Sequence, residues 1–361
     1  MAKLSVCLIV KNEEKVLERC LNCVKKFADE IVIVDTGSTD NTIEIAKKFT
    51  DKLYFFKWEN DFSLARNYSF KMATSDYLMW IDADDVVKDE DVKKINQLKL
   101  NLTAETYMLK YQIAFDENNK PTYEYYRERI VKNCKSAIFK GFVHECIVPF
   151  GRIEYLDIAI QHKKIEKERD TKRNLNIYKK QIKNGKVLNE RELFYYSKEL
   201  FYNGYYKQTI KNLKKFLKMP NQFLPNTIDA YIFLSDSYLF LNNLKIAKKY
   251  LIESINILPP NAEICCKLGN IYIKENLYEN AVFWFKTALN SQKYEKTGAF
   301  IQHDYYDFIP YLQLSFCYYY LNDYKNFKKY HLKAKAIKPN NKSILNNEQF
   351  IKDWNFINIC A

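Results

Sequence analysis

Short apolar runs and amphipathic stretches alternate along residues 4–114. Residues 4–10, 30–35, 53–57 and 77–82 are compact runs rich in Val, Ile, Leu and aromatic side chains, and they read as strands. Residues 13–27, 39–49 and 62–73 read as helices. Strand and helix in alternation predict a mostly parallel sheet with helices on both faces. Two longer strands are predicted at 106–114 and 123–131, around the polar turn Asp116-Glu-Asn-Asn-Lys-Pro121. They add an antiparallel part to the sheet. Near residue 163 the pattern shifts. Residues 163–173 form a charged helical stretch, and almost everything beyond is helical.

The second half repeats. Leu268-Gly269-Asn-Ile-Tyr272 is followed by Asn276-Leu-Tyr278, Ala281 and Ala288. Leu234-Ser235-Asp-Ser-Tyr238 is followed by Asn242, Ala247 and Pro259. The step from Ser235 to Gly269 is 34 residues, the period of tetratricopeptide repeats. Tyr196-Ser197, Gly204-Tyr-Tyr206 and Leu213 suggest an earlier unit. Leu314-Ser315, Tyr318, Asn322-Asp-Tyr324, Ala334 and Pro339 suggest a later one, displaced by an insertion around 292–304. The small residue lets paired helices approach, and the aromatic fills the groove between them. Four such units in line predict a helical solenoid.

Composition narrows the class. The 361 residues suffice for two or more domains with sizeable cores. With 29 Tyr and 24 Phe but only 7 Gly and 8 Pro, disorder is disfavoured and helix-rich packing favoured. A net charge of +13 suits acidic ligands such as nucleotide diphosphates, nucleic acid or a membrane surface. Lys-rich codon usage explains it equally well. No nucleic-acid motif is present. No run reaches the roughly 20 apolar residues of a membrane helix. Residues 1–14 lack the length and cleavage site of a signal peptide. The nine Cys form no paired framework, and Cys20-x-x-Cys23 has no partner pair for zinc. A cytoplasmic, reducing compartment is the simplest expectation.

Candidate chemistry gathers at the strand ends. The run Tyr77-Leu-Met-Trp-Ile-Asp-Ala-Asp-Asp85 places Asp82 and Asp84 two residues apart, on one face of a continued strand. Open α/β sheets bind ligands outside the carboxyl ends of their strands. Two carboxylates there repel unless a cation sits between them. A divalent ion such as Mn²⁺ or Mg²⁺ carrying a diphosphate meets that demand, and a solvated acidic turn is the plainer alternative. Asp35 ends the second strand and opens Asp35-Thr-Gly-Ser-Thr-Asp-Asn-Thr42, where a base or ribose could be read. Gly37 permits the turn, and Ser38 or Thr39 can cap the next helix. Arg66 suits a phosphate or planar base, or else a surface ion pair.

These segments together resemble family 2 glycosyltransferases of the GT-A fold. The matching pieces are Ser5-Val-Cys-Leu-Ile-Val-Lys-Asn-Glu13, Val32-Ile-Val-Asp-Thr-Gly-Ser-Thr-Asp40, Ala65-Arg-Asn67 and Ile81-Asp-Ala-Asp-Asp85. The likeness extends to Phe139-Lys-Gly-Phe-Val-His-Glu145 and a later His162. With the repeats, it resembles bacterial glycosyltransferases that carry C-terminal tetratricopeptide units, the group that includes sublancin-type S-glycosyltransferases. The resemblance implies that Val10, Glu13, Asp35, Arg66, Asp82 and Ala83 line a nucleotide-sugar site. It implies Asp84, Asp82 and His144 as metal ligands, and Glu145 or Asp85 as the catalytic carboxylate. Where many relatives show His-x-Gly-Tyr, this chain has His162-Lys-Lys-Ile165, and His162 reads as a hydrogen-bonded structural histidine.

The expected architecture is a GT-A-type α/β domain over 1–162, a helical linker over 163–189 and an all-α repeat domain over 190–361. The expected activity is metal-dependent, inverting transfer of a sugar from a UDP-sugar to a peptide or protein held by the repeats. Cell-surface polysaccharide or lipid-linked glycan is the alternative acceptor, and a homodimer stays open. A non-catalytic scaffold is a rival that intact Asp35, Arg66, Asp82 and Asp84 argue against. A nucleotidyltransferase would need a basic Gly-rich loop after the first strand, and Lys11-Asn-Glu-Glu14 is not one.

Overall fold

The computed structural model describes residues 2–165 and 171–348. Part of the expected 163–173 helix therefore lies outside the described residues. The chain divides into two compact units. The first runs to Tyr205 and takes in Met219–Asn221 and Glu295–Phe300; the second holds Tyr206–Lys218, Gln222–Tyr294 and the residues from Ile301 on.

In the first unit β1 (Leu4–Val10) lies between β2 (Glu30–Asp35) and β4 (Tyr77–Trp80), with β3 (Leu53–Phe55) outside β2, and all four are parallel. Side chains alternate between the faces, as a pleated strand requires. Leu4, Val6 and Leu8 of β1 face one apolar cluster with Ile33 and Met79. Cys7, Val32, Leu78 and Trp80 face the other. Helices α1 (Leu17–Val24) and α2 (Thr42–Lys47) cover the first face through Leu17, Cys20, Leu21 and Ala46. Helix α3 (Phe62–Met72), N-capped by the Asp61 carboxylate, covers the second through Phe70. Burial on both faces is why β1, β2 and β4 read as continuous apolar runs, whereas the edge strand β3 leaves Phe55 exposed.

A two-residue strand, β5 (Asp85–Val86), and α4 (Asp89–Leu98) follow. The antiparallel addition is present as β6 (Thr106–Phe115) and β7 (Pro121–Lys132), joined across the expected polar turn. A short hairpin of β8 (Phe139–Lys140) and β9 (Cys146–Ile147) precedes β10 (Ile153–His162). The strand order is β3-β2-β1-β4-β7-β6-β10-β5. The sequence reading has no strand at β10. Its apolar positions Ile153 and Tyr155 change phase to Ile158 and Ile160, because the pairing with β6 slips between Leu156 and Ala159. That bulge hides the period-two signal. Helices α5 (Arg173–Lys183) and α6 (Glu190–Tyr202) complete this unit.

The second unit contains α7 (Tyr206–Phe216), α8 (Leu224–Phe240), α9 (Leu244–Ile255), α10 (Ala262–Lys274), α11 (Tyr278–Leu289), α12 (Phe308–Tyr320) and α13 (Tyr324–Ile337). The repeat positions have local causes. Asn242, Asn276 and Asn322 follow α8, α10 and α12 with φ of 57°, 60° and 57°. Asn tolerates this left-handed backbone. It lets the next residue's N–H reach back to the carbonyls of Tyr238, Tyr272 and Tyr318, closing each helix end. Gly269 of α10 meets Phe285 of α11, where an added Cβ would stand 2.6 Å from the ring. Gly269→Ala should therefore lower stability by about 1–2 kcal/mol, overpacking outweighing the helix propensity gained. An unchanged or raised Tm in thermal unfolding would refute that account.

Candidate active site

The carboxyl ends of β1, β2 and β4 lie side by side, with Val10 in register beside Asp35. Asp35 is almost fully buried. Its Oδ1 accepts the N–H groups of Gly37 at 2.8 Å and Ser38 at 2.9 Å, which closes the turn. Gly37 has φ +104°, as expected of a residue needing left-handed backbone. The Asp35 Oδ2 is buried and has no partner among the described residues. An orphaned buried acceptor calls for a donor, such as a ligand N–H or hydroxyl would supply.

Ser38 and Thr39 do not cap α2, as the sequence reading allows. Ser38 Oγ accepts the Asn12 N–H at 3.0 Å, and the Thr39 N–H donates to Asn12 Oδ1 at 2.7 Å. The Glu13 N–H donates to Thr42 Oγ1 at 2.7 Å, and the Glu13 carbonyl accepts from Val16 and Leu17 at the start of α1. These bonds knit the loop after β1 to the loop after β2, and form one rim of the site.

The acidic run forms the other rim. Strand β4 ends at Trp80, two residues earlier than expected, and Asp82–Asp85 form a turn closed by the Asp85 N–H on the Asp82 carbonyl at 3.0 Å. Strand alternation no longer governs Asp82 and Asp84, and their carboxylates take different partners. Asp82 Oδ1 accepts from Arg66 Nη2 at 2.7 Å, while Asp84 Oδ1 lies 3.1 Å from His162 Nδ1. Ala83, between them, is buried. Asp85 is fully buried and engaged through both oxygens. Oδ1 accepts from Tyr111 at 2.9 Å and His162 Nδ1 at 3.0 Å; Oδ2 accepts the Asp82 N–H at 3.0 Å and lies 3.5 Å from Arg129 Nη1.

Charge compensation is local. Arg66, buried on α3, donates through Nε to Glu145 Oε1 at 2.6 Å and through Nη2 to Asp82, so one guanidinium holds two acids. Burial would raise the Asp82 pKa, but the charges of Arg66 and Arg129 and the Arg66 hydrogen bond hold it well below the usual carboxylate range. Asp85 is pushed up, by burial first and the Asp82 charge second. Burial lowers the His162 pKa, yet its hydrogen bonds to Asp84 and Asp85 outweigh that and raise it to about 9. The Trp80 ring anchors three guanidinium groups, of Arg129 at 3.6 Å, Arg66 at 4.6 Å and Arg127 at 4.8 Å. Arg129 is wholly buried, with Nε and Nη2 lacking a hydrogen-bond partner among the described residues, and its guanidinium lies close to the Trp80 and Tyr111 rings. The aromatic faces stand in for the missing acceptors.

Three donors meet closely enough to share an ion. Carboxylate oxygens of Asp84 and Asp85 and a ring nitrogen of His162 all lie within 4.8 Å of one another. Two carboxylates and one imidazole fit Mn²⁺ or Mg²⁺, which would displace the imidazole proton. Neither Asp82 nor His144 is in this group. Asp82 is held by Arg66, and His144 Nε2 lies 2.7 Å from Glu199 on α6. His162 enters the group because β10 runs antiparallel to β5, with His162 opposite Asp85. The sequence reading also passed over Tyr111 and Arg129. Both lie on strands it did predict, and a polar residue inside an apolar strand was the available signal.

A mixed sheet with these acids at the switch point, followed by paired helices, defines a transferase-type α/β domain joined to a repeat array. Residues 5–147 match glycosyl transferase family 2, and residues 228–261 and 262–294 each match a tetratricopeptide repeat, so the chain carries a family 2 glycosyltransferase domain followed by such repeats. It is 30% identical over 253 residues, 65% of its length, to the SPbeta prophage-derived glycosyltransferase SunS of Bacillus subtilis, and spans 58% of that relative. A TPR repeat-containing protein of Synechococcus elongatus is 45% identical over 85 residues, 24% of this chain and 21% of that protein. A crystal structure of S. aureus TarS 1-349 aligns with a TM-score of 0.36 at 15% identity, covering 81% of this chain and 93% of that one.

Proposed function

We propose that this chain is an inverting, divalent-metal-dependent glycosyltransferase that moves a sugar from a UDP-sugar to a peptide or protein. The observation that carries the reading is Arg66 bridging Glu145 and Asp82 beside the Asp84, Asp85 and His162 group. One residue thereby couples a candidate base to the acids that would face the donor diphosphate. Asp84, Asp85 and His162 would hold the ion, which when bound offsets negative charge on the diphosphate. Asp35, with its free Oδ2, would accept from the uracil or ribose. Glu145 takes the acceptor's proton as the nucleophile's electron pair forms the new bond to the anomeric carbon. The bond to the diphosphate oxygen breaks, and its electron pair leaves with UDP. Attack from the opposite face inverts the anomeric centre.

In this reading residues 1–162 handle the donor, and the repeats of the second unit, from Tyr206 on, present the acceptor, because stacked repeats build extended binding surfaces. The similarity to SunS supports a glycosyltransferase. Among the described residues no helix is long and apolar enough to cross a membrane. The test is a panel of UDP-, GDP- and dTDP-sugars, with and without Mn²⁺, read by mass spectrometry of released nucleotide. Metal-stimulated release of UDP is expected. Release of GDP or dTDP alone, or full release in excess chelator, would overturn the UDP or the metal part respectively.

Asp35 has its own expected result. Asp35→Ala should weaken UDP binding about tenfold by calorimetry, since hydrogen bonds to charged groups contribute about 1.5–3 kcal/mol. Unchanged affinity would reduce Asp35 to closing its turn.

A further inference from the structure

The loop that carries Glu145 has a backbone its sequence does not explain. Between β8 and β9, His144 adopts φ +54°. Few residues with a Cβ take this left-handed conformation, and one that does is held there by its surroundings. Glycine would make the same turn unaided, so the His144 ring contacts need a reason.

These contacts come from α6, with α5 bracing Glu199. The ring stacks on Tyr195 with centroids 4.5 Å apart and planes 19° apart. Its Nε2 lies 2.7 Å from Glu199 Oε1, and its carbonyl accepts from Arg191 Nη2 at 3.0 Å. Asn174 fixes the same Glu199 oxygen at 3.1 Å. Burial lowers the His144 pKa, and the bonds from His144 and Asn174 overcome burial to hold Glu199 down. The imidazole Nε2 and the Glu199 carboxylate thus share a hydrogen bond. Glu145 is the next residue, and a turn at His144 would swing its carboxylate off Arg66.

We propose that α6 is a positioning element for the Glu145 carboxylate, acting through the His144–Glu199 bond and the Tyr195 stack. This rests on the reading of Glu145 as the base. The helix is then part of the catalytic unit, and transfer depends on residues far along the chain from every sugar-binding motif.

The test uses the full chain with Mn²⁺ and the UDP-sugar it consumes fastest. Glu199→Ala should lower kcat roughly tenfold to a hundredfold, since misplacing a reacting group by about 1 Å has that effect. Donor KM and UDP affinity should stay unchanged, and amide exchange should quicken over residues 141–146 alone. Glu199→Gln retains an acceptor oxygen for His144 and should keep most of the rate. His144→Asn tolerates the left-handed backbone but cannot reach Glu199, and it carries the same expectation as Glu199→Ala. Wild-type kcat and exchange in these folded variants would overturn the proposal, as would equal losses of kcat and UDP affinity. Glu145→Gln separates the two readings. A large loss there beside a wild-type Glu199→Ala overturns only the positioning role, whereas wild-type rate in Glu145→Gln removes the base and this role with it.

Discussion

Asp84→Asn is expected to lower metal-dependent sugar transfer at least roughly a hundredfold while the protein stays folded. A bound cation contributes several kcal/mol of charge stabilisation at the leaving group, and each 1.36 kcal/mol is about tenfold in rate. Within the three-residue donor group, Asp84 is the most exposed, with 23% of its side chain open to solvent, against 12% for His162 and none for Asp85. It can therefore face a ligand, and losing its charge opens no cavity. Asp85 behaves differently, because its four partners make it a keystone of the turn. Asp85→Asn would disturb the turn itself and could not separate chemistry from folding. The measurement is turnover against Mn²⁺ concentration, with unfolding temperature as the control. A folded Asp84→Asn protein working at wild-type rate would remove the metal assignment.

Glu145→Gln should lower kcat by about 10²–10⁴, the usual range for a general base, with UDP affinity nearly unchanged. The amide keeps the side chain's shape and an oxygen for Arg66 Nε, so the surrounding bonds persist while proton uptake is lost. Asp85 was the competing candidate at the sequence level. Asp85 is fully buried in the donor group with both oxygens on partners within the site, whereas Glu145 has Oε1 on Arg66 and a second oxygen not tied to it. A fall in UDP affinity instead would make Glu145 a donor contact. No change in either quantity would fit an acceptor thiolate, already a good nucleophile near its pKa, with no base required.

Much of the fold was legible because its signals are local. Strands β1, β2 and β4 are buried on both faces and so are almost wholly apolar. The repeats announce themselves through Gly269, the left-handed Asn276 and the Tyr272 that its turn reaches back to, each demanded by one helical hairpin. Asp35, Arg66, Asp82 and Asp84 stood out in the sequence by their places at strand ends and in motifs, and Glu145 through the family resemblance. Their partners did not. Boundaries erred where a turn replaced strand alternation, as at Trp80, and a strand went unseen where a bulge shifted its phase, as in β10.

Sequence alone determined that this chain carries a family 2 glycosyltransferase domain followed by tetratricopeptide repeats, and which acids cluster near residue 84. Periodicity and short motifs encode such features within a few residues of chain. Tertiary structure decided how those acids divide. It gave Asp82 to Arg66, set His162 beside Asp84 and Asp85 across the β5–β10 pairing, and turned His144 away to Glu199. Each choice joins residues 16 to 78 positions apart (162 − 84 = 78) through the register of a strand or the docking of a helix. Such choices depend on how elements pack, and no local pattern records that.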